Sequence, residues 1–134
     1  MFIENANGET NHGGIPVGQN CHKVHFLHGS GGGGPPDGTR IGSYIIHYQR
    51  GQRQEVPIIY GQDVRDWWSK PSDVASTSEL AWTGSNPATK KKEMELHLYK
   101  KTWDNPFPDL PVESIDHISV SERGRPFLIA ITLE

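Results

Sequence analysis

Glycine and proline recur so often in this sequence that every regular element between them must be short. The 134 residues include 15 glycines and 10 prolines, several of them clustered in the stretch GSGGGGPPDG at 29–38. Both residues favour turns, glycine because it lacks a Cβ atom and proline because its ring fixes φ and removes the backbone N–H. The runs between these breakers are rich in β-branched and aromatic residues, which favours strands over helices.

The size and charge of the chain indicate how many domains it has and which kinds of partner it can bind. A length of 134 residues suits one hydrophobic core rather than two. The 13 basic and 16 acidic residues give a net charge of −3, which argues against a nucleic-acid partner, since such proteins carry broad basic surfaces. The sequence has no apolar run of the ~18 residues that a transmembrane helix needs, so we expect no membrane insertion. The single Cys21 cannot form an internal disulfide, and the compartment stays open.

The clearest local signal is a β-hairpin. Two β-rich runs, 44–48 and 56–60, flank a polar tip in which Gly51 can adopt the positive φ of a tight turn. A two-residue loop at 51–52 predicts Ile45 opposite Ile58. A second hairpin is predicted from the apolar runs 112–120 and 126–133, which are joined by SERGR.

Alternation of residue types predicts how the strands face. Pro57 indicates that its strand lies at a sheet edge or is bulged, because proline cannot donate to the ladder. Segment 93–99 alternates strictly. Its apolar members (Met94, Leu96 and Leu98) are expected to face the core, and the others (Glu93, Glu95, His97 and Tyr99) the solvent.

Seven short strands with turn signals between them predict an all-β fold, namely an antiparallel β-sandwich or jelly roll. The Asn- and Gly-rich start predicts a flexible N-terminal tail over residues 1–13. Residues 14–134 are expected to form a single β-sandwich domain.

Five segments of the sequence carry a resemblance to a known module: GIPVGQNCHKVHFLHGS, IGSYIIHYQRGQRQEVPIIYGQDVRDWW, LAWTGSNP, LHLYKKTWDNPFPDLPVESID and FLIAITLE. Together they resemble a module of multidomain bacterial proteins that is similar to galactose-binding-domain-like β-sandwiches. The resemblance covers about 14–134, and YGQDVRDWW, which ends at Trp68, is its most specific part. It implies an antiparallel jelly roll and a non-enzymatic role.

The resembled module also raises the question of self-association. Its larger members have an additional early strand before the Gly-Ile-Pro segment, where this chain has about a dozen residues. An incomplete sheet leaves an unpaired edge, and such edges pair with other strands. We therefore expect a homodimer.

Two cofactor-like patterns do not predict a site. His22, His25 and His28 have a regular spacing, but on a strand His25 points away from the other two, so three ligands cannot converge on a metal. One of these histidines is instead expected in the core with its ring hydrogen-bonded. The glycines of 29–34 match a dinucleotide fingerprint, but Pro-Pro-Asp-Gly follows where a helix must begin. We predict no metal and no cofactor.

Catalytic patterns are weak in this sequence. It contains no Gly-x-Ser-x-Gly elbow and no His-Glu-x-x-His motif. Asp63 and Asp66 have the chemistry to flank a sugar as acid and base, but Arg65 between them more naturally neutralises one of the two. A small hydrolase or lyase remains an alternative, and the prediction is a protein that is not an enzyme.

The best candidate for binding is the cluster Asp63, Arg65, Asp66, Trp67 and Trp68. Sugars present apolar C–H faces that stack on aromatic rings and hydroxyls that need planar donors and acceptors. The competing interpretation is structural: the tandem tryptophans plug one end of the sandwich, Asp63 caps the turn and Arg65 bridges to a carboxylate. At least one of the two tryptophans is expected to be buried.

Three further residues complete the predicted ligand-binding set. Trp82 and Trp103 border predicted strands and either line the same end of the sandwich or lie in the core, and the core is favoured. Asn105 either hydrogen-bonds sugar hydroxyls or forms an Asx turn before the following residues. The lysines at 90–92 are interpreted as a solubilising guard on the next strand.

These observations predict a noncatalytic binding module that recognises carbohydrate, or a related polar surface, by stacking on Trp68. The alternative is a structural or protein-interaction domain in which the aromatic cluster is core and an edge strand pairs with a second copy.

Overall fold

A computed structural model describes residues 3–4, 10–11, 14–120 and 123–134 of the chain. They form two antiparallel sheets packed face to face, which confirms the predicted all-β sandwich. The predicted flexible tail at 1–13 falls mostly on residues outside this description, so the domain boundary at residue 14 stays a prediction. In the described residues, no helix has the length and apolar character needed to cross a membrane.

The two sheets are built from eleven described strands. In chain order these are β1 (Ile3–Glu4), β2 (Thr10–Asn11), β3 (Ile15–Gln19), β4 (Lys23–Gly31), β5 (Arg40–Tyr48), β6 (Arg53–Ile59), β7 (Trp68–Ser69), β8 (Glu79–Gly84), β9 (Glu95–Asp104), β10 (Val112–Ser119) and β11 (Arg125–Leu133). A short helix, α1 (Pro87–Lys91), joins β8 to β9. The six-stranded sheet has the order β1-β2-β10-β5-β6, with β3 also paired to β10. The five-stranded sheet has the order β11-β4-β9-β7, with β8 also paired to β9.

The core lies between the sheets and is unusually rich in tyrosine. Tyr44, Tyr48 and Tyr99 are fully buried together with Phe26 and Ile58. Phe26 and Tyr44 come from opposite sheets and stack with their ring centroids 3.8 Å apart. Each phenol must find a hydrogen-bond partner inside the protein, because a buried polar group without one is costly.

The first predicted hairpin is confirmed, but its predicted register is wrong. β5 and β6 are joined by a turn at Gln49–Gly51, and Ile45 lies opposite Glu55 instead of Ile58. The turn has three residues, 49–51, instead of the two predicted at 51–52, and both Arg50 and Gly51 adopt positive φ. The edge position predicted from Pro57 is confirmed, since β6 ends the order of the six-stranded sheet.

Two β-bulges in the five-stranded sheet decide which side chains face outward. In β8 the register shifts between Leu80 and Trp82, and in β11 it shifts between Leu128 and Ala130. Leu80 and Leu128 pack against the core. An extra residue in one strand reverses the faces of the residues beyond it. Trp82 is therefore carried to the outer face of the sheet, and the prediction of Trp82 in the core is wrong.

β9 alternates as predicted, but with its faces exchanged. His97 and Tyr99 are fully buried, and Trp103 packs against the core from the same face of the strand. Leu98 lies opposite the outward Trp82. The predicted solvent face is thus the inner one, because partners from distant loops satisfy its polar atoms: Tyr99 Oη, for example, donates to the Asp73 carbonyl at 3.4 Å.

Candidate functional site

The segment that carries the tandem tryptophans is wedged into the five-stranded sheet. The Trp67 N–H donates to the Ser30 carbonyl at 2.7 Å, and the His97 N–H donates to the Trp67 carbonyl at 2.8 Å. The segment thus lies between the end of β4 and the start of β9. The segment is a compact loop that leads into β7.

Asp63 is part of the core and not of the surface. Only 4% of it is exposed. One carboxylate oxygen accepts the Ile59 N–H at 2.8 Å, and the other accepts from the Lys101 ammonium at 2.6 Å. These contacts close the turn that precedes the tryptophans and occupy both oxygens. They match the structural interpretation of Asp63.

Arg65 is held by contacts within the fold. Its guanidinium forms a bidentate pair with the Asp37 carboxylate at 3.1 and 2.9 Å, and its Nε donates to the Val74 carbonyl at 3.1 Å. The guanidinium also lies 5.9 Å from the centroid of the Tyr60 ring. The expected bridge from Arg65 to a carboxylate is present, and it ties the long glycine-rich loop to this segment.

Asp66 fixes the backbone around the tryptophans. One of its carboxylate oxygens accepts the Trp68 N–H and the other accepts the Gly33 N–H, both at 2.9 Å. Its own N–H donates to the Tyr60 hydroxyl at 3.0 Å. The side chain is only partly buried, and each oxygen keeps a lone pair for a further donor.

Trp103 and Asn105 face the interior, away from the Trp68 segment. The Asn105 side-chain oxygen accepts from the Tyr48 hydroxyl and the Phe107 N–H, and its amide donates to the Cys21 carbonyl at 2.7 Å. This is the Asx turn that the sequence offered as one interpretation. Burial raises the pKa of Tyr48 to about 12 and also raises the pKa of the Cys21 thiol, so both groups stay protonated at neutral pH.

Four aromatic side chains lie on the outer face of the five-stranded sheet. We call this surface, formed by Trp67, Trp68, Trp82 and Phe127, the outer aromatic face. Trp82 is 48% exposed and the other three are partly buried. The sequence brought Trp67, Trp68 and Trp82 into the candidate site, and the structure places these three on one surface.

Two glycines on the outer face make room for these rings. Gly84 lies so close under the Trp82 indole that a Cβ added there would come within 2.1 Å of the ring. At Gly29 a Cβ would come within 2.6 Å of the Phe127 ring and 3.2 Å of Leu98. Each ring fills the space above a glycine, where a side chain would otherwise be. The rings therefore lie close to the sheet and make its outer surface flatter.

The register connects the rings into a continuous surface. Phe127 pairs with Gly29, and Leu98 pairs with Trp82 on the other side of β9. In the next row Leu96 pairs with Trp68 on one side and Gly84 on the other. Leu96 is only 7% exposed, as expected where aromatic neighbours cover it from both flanks.

Two ring contacts define the border of the face. Trp67 and Phe127 meet edge to face with their centroids 5.8 Å apart. The Lys92 ammonium lies 5.7 Å from the centroid of the Trp68 ring. Trp68 is therefore partly covered by a cation, and Trp82 is the more accessible of the two tryptophans.

Phe127 is the member of this surface that the sequence did not single out. The neighbouring Leu98 was predicted to face the core and lies on this outer face instead. The signal that identifies them is the pairing of glycines with aromatic residues across strands, which requires the register and thus the structure. Gly29 and Gly84 otherwise resemble ordinary strand-ending glycines.

The histidines of β4 behave as the sequence predicted. His28 is fully buried and hydrogen-bonded, with Nδ1 2.6 Å from the Tyr44 hydroxyl and Nε2 3.3 Å from the Asp63 carbonyl. His25 points to the other face and contacts Thr102 and Glu134. Within the described ranges no group of three or more potential metal ligands converges.

Two grooves of the described structure are lined by residues other than those of the predicted site, and the second includes Phe127 of the outer aromatic face. One of about 400 Å³ is lined by β3 and the end of β11, and another of about 290 Å³ is lined by Ile15, His117 and the start of β11. Both follow the seam between the two sheets. The outer aromatic face is an open surface, which suits an extended ligand better than a small enclosed one.

No protein-family model, curated protein or solved structure matches this chain.

Proposed function

We propose that this chain is a noncatalytic carbohydrate-binding module whose ligand lies on the outer aromatic face. The observation that carries the proposal is Trp82, which a bulge turns outward and which rests half exposed over Gly84, on the same face of the sheet as three further aromatic rings. Pyranose rings present apolar C–H patches that pack on such surfaces. Soluble proteins bury aromatic residues where they can, so a cluster of them on an outer face indicates a binding surface.

Polar groups at the edge of this face form the hydrogen bonds to the hydroxyl groups of the ligand. Asp63 is only 4% exposed, so we do not assign it a contact with the ligand. Asp66 lies beside Trp67 and Trp68 and keeps lone pairs for hydroxyl donors. Stacking on Trp82 with hydrogen bonds to Asp66 gives a weak single site, as expected of a surface without a deep pocket.

The proposal extends to the type of sandwich. The segments quoted above, and YGQDVRDWW in particular, support a galactose-binding-domain-like jelly roll. A non-enzymatic role agrees with this resemblance and with the use of Asp63 and Arg65 in fold-stabilising pairs.

Trp82→Ala is expected to weaken carbohydrate binding about tenfold or more, because it removes the most exposed stacking ring. The measurement is affinity electrophoresis against a β-glucan, a xylan and a galactan. Phe107→Ala is the matched control. It removes another exposed aromatic ring, 39% accessible, from beyond the far end of β9. Equal loss in both variants, or binding unchanged in Trp82→Ala, would contradict the proposal.

Gly84→Ala tests the same surface without removing an aromatic ring. The new methyl group occupies the position of the indole, so Trp82 must lift or rotate away from the sheet. Binding is expected to fall in parallel with that of Trp82→Ala while the protein stays folded.

A second candidate function is self-association through β11. This strand ends the order of the five-stranded sheet, and Ile129 at its bulge is 56% exposed. Pro126 and the bulge hinder strand pairing along the first half of this edge. The part from Ala130 onward can pair with a second copy. Light scattering after size exclusion is expected to give twice the monomer mass under this proposal, and Ile131→Pro is expected to return the monomer. A monomer at all concentrations would contradict it.

A further inference from the structure

Resting on the proposed carbohydrate-binding function, we infer that the ligand is an anionic carbohydrate, whose acidic groups are bound by Lys90, Lys91 and Lys92 at the border of the outer aromatic face. The sequence alone suggested only a solubilising role for these lysines. Their positions, and the absence of a carboxylate partner for them among the described residues, point to a ligand.

The fold holds Lys92 beside the Trp68 ring, and Lys90 and Lys91 precede it in the same connection. All three end the connection from β8 to β9, directly between Gly84, which underlies Trp82, and Leu96, which pairs with Trp68. This connection is rigidly built. The Asn86 side chain accepts the Thr89 N–H and the Thr89 hydroxyl accepts the Asn86 N–H, both at 2.8 Å, which forms a capping box at the start of α1. Thr89 is fully buried.

These lysines differ from the lysines of β4 and β9 in their partners. Lys23, Lys100 and Lys101 each form an ion pair, with Asp104, Glu79 and Asp63 at 3.1, 3.0 and 2.6 Å. Lys90, Lys91 and Lys92 are all exposed, and in the part of the chain that the structure describes none of them has a carboxylate within ion-pair distance. The neighbouring Glu93 is the one acid of this turn, so the segment 90–93 keeps an excess of two positive charges.

Lys92 links this charge to the aromatic surface. Its ammonium lies 5.7 Å from the Trp68 centroid, so a cation and an aromatic ring are presented together. An exposed cation–π contact contributes only about 0.5–1 kcal/mol, and an acidic group of a ligand competes with it easily. A sugar that carries a carboxylate or sulfate can use both the aromatic rings and the lysines. Its C–H face packs on Trp82, and its anionic group reaches the lysines.

The test uses affinity electrophoresis with four polymers: polygalacturonate, its fully methyl-esterified form, dextran sulfate and polyglutamate. We expect polygalacturonate or dextran sulfate to be bound at least tenfold more tightly than the neutral ester. The triple variant Lys90→Gln/Lys91→Gln/Lys92→Gln is expected to lower this affinity to that of the ester. Lys23→Gln, which removes a cation near the far end of β9, is expected to leave it unchanged. The two anionic arms distinguish carboxylate from sulfate, and preference for either supports the inference.

Other outcomes overturn the inference in distinguishable ways. Equal binding of the acid and its ester, with loss in Trp82→Ala, would reject the anionic ligand and leave the carbohydrate proposal standing. Equal binding of polyglutamate and polygalacturonate would also reject it, because charge alone would then explain the affinity. Binding of no polysaccharide by the wild-type protein would reject both proposals.

Discussion

Replacing Lys101 with methionine is expected to lower the free energy of unfolding by about 3–5 kcal/mol, because it leaves a buried carboxylate without its counter-charge. Lys101 projects from the inner face of β9, and its ammonium lies 2.6 Å from an Asp63 oxygen. The Asp63 side chain is only 6% exposed, so water cannot replace the lost partner. Urea unfolding followed by tryptophan fluorescence measures the change.

The neighbouring residue supplies a matched control for this prediction. Lys100 projects from the opposite face of β9 and pairs with Glu79 at 3.0 Å, with both side chains largely exposed. Exposed ion pairs contribute about 1 kcal/mol or less, so Lys100→Met is expected to change stability little. A cost for Lys101→Met no larger than that for Lys100→Met would contradict a stabilising role of the buried pair.

A double variant separates the buried charge from the lost packing. Asp63→Asn keeps an oxygen that accepts the Ile59 N–H while removing the negative charge. Combined with Lys101→Met, it is expected to recover most of the stability lost in Lys101→Met alone, because no unpaired charge is then buried. Additive losses in the double variant would show that packing, and not charge, explains the effect.

The buried pair also shows where sequence-based reasoning about this chain stops. Most of the strands and the sandwich follow from local patterns of glycine, proline and β-branched residues. The predicted hairpin of 112–120 with 126–133 is wrong, because β10 and β11 lie in different sheets and pair with other strands. The inward face of β9 does not follow from such patterns. A lysine such as Lys101 is expected in solvent, and its partner Asp63 lies 38 positions earlier in the sequence. Inward polar side chains depend on partners that the sequence alone does not identify.

Prediction of the candidate site from the sequence was limited in the same way. The sequence singled out Trp67, Trp68 and Trp82 together, and all three lie on the outer face of one sheet, yet it favoured a core position for Trp82. A single extra residue between Leu80 and Trp82 reverses that side chain, and a bulge is set by pairing between strands rather than by local composition. Asp63 and Asn105 had structural as well as binding interpretations, and only the hydrogen bonds of the folded chain distinguish the two.

The stability of this protein is expected to fall by about 1.4 kcal/mol per pH unit as the pH drops from 6 toward 4, through His28 alone. Burial lowers the pKa of this histidine from 6.5 to about 3, and the nearby Lys101 charge lowers it further, while the hydrogen bond to the Asp63 carbonyl opposes the shift. In this range the unfolded chain binds a proton at His28 and the folded protein does not. Because the unfolded state holds more protons, stability must rise with pH and fall as acid is added.

The contacts of the ring explain why the neutral form is preferred. A carbonyl oxygen only accepts, so the Asp63 carbonyl assigns the ring proton to Nε2, and Nδ1 then accepts from the Tyr44 hydroxyl at 2.6 Å. Burial raises the pKa of Tyr44 well above its usual value, so this hydroxyl keeps its proton. Protonation of His28 would place a second donor against the Tyr44 hydroxyl and a positive charge near Lys101.

His28→Gln isolates this contribution, because glutamine offers a donor and an acceptor that do not titrate in this range. The variant is expected to be less stable than the wild type at pH 7, where the imidazole packs well. Its stability should depend less steeply on pH, by about 1.4 kcal/mol per unit between pH 6 and 4. All other titrating groups are common to the two proteins, so the difference between their urea-unfolding curves reports His28. Parallel curves across this range would mean that His28 takes up its proton equally in the folded and unfolded states, and that its burial does not control the acid stability of the sandwich.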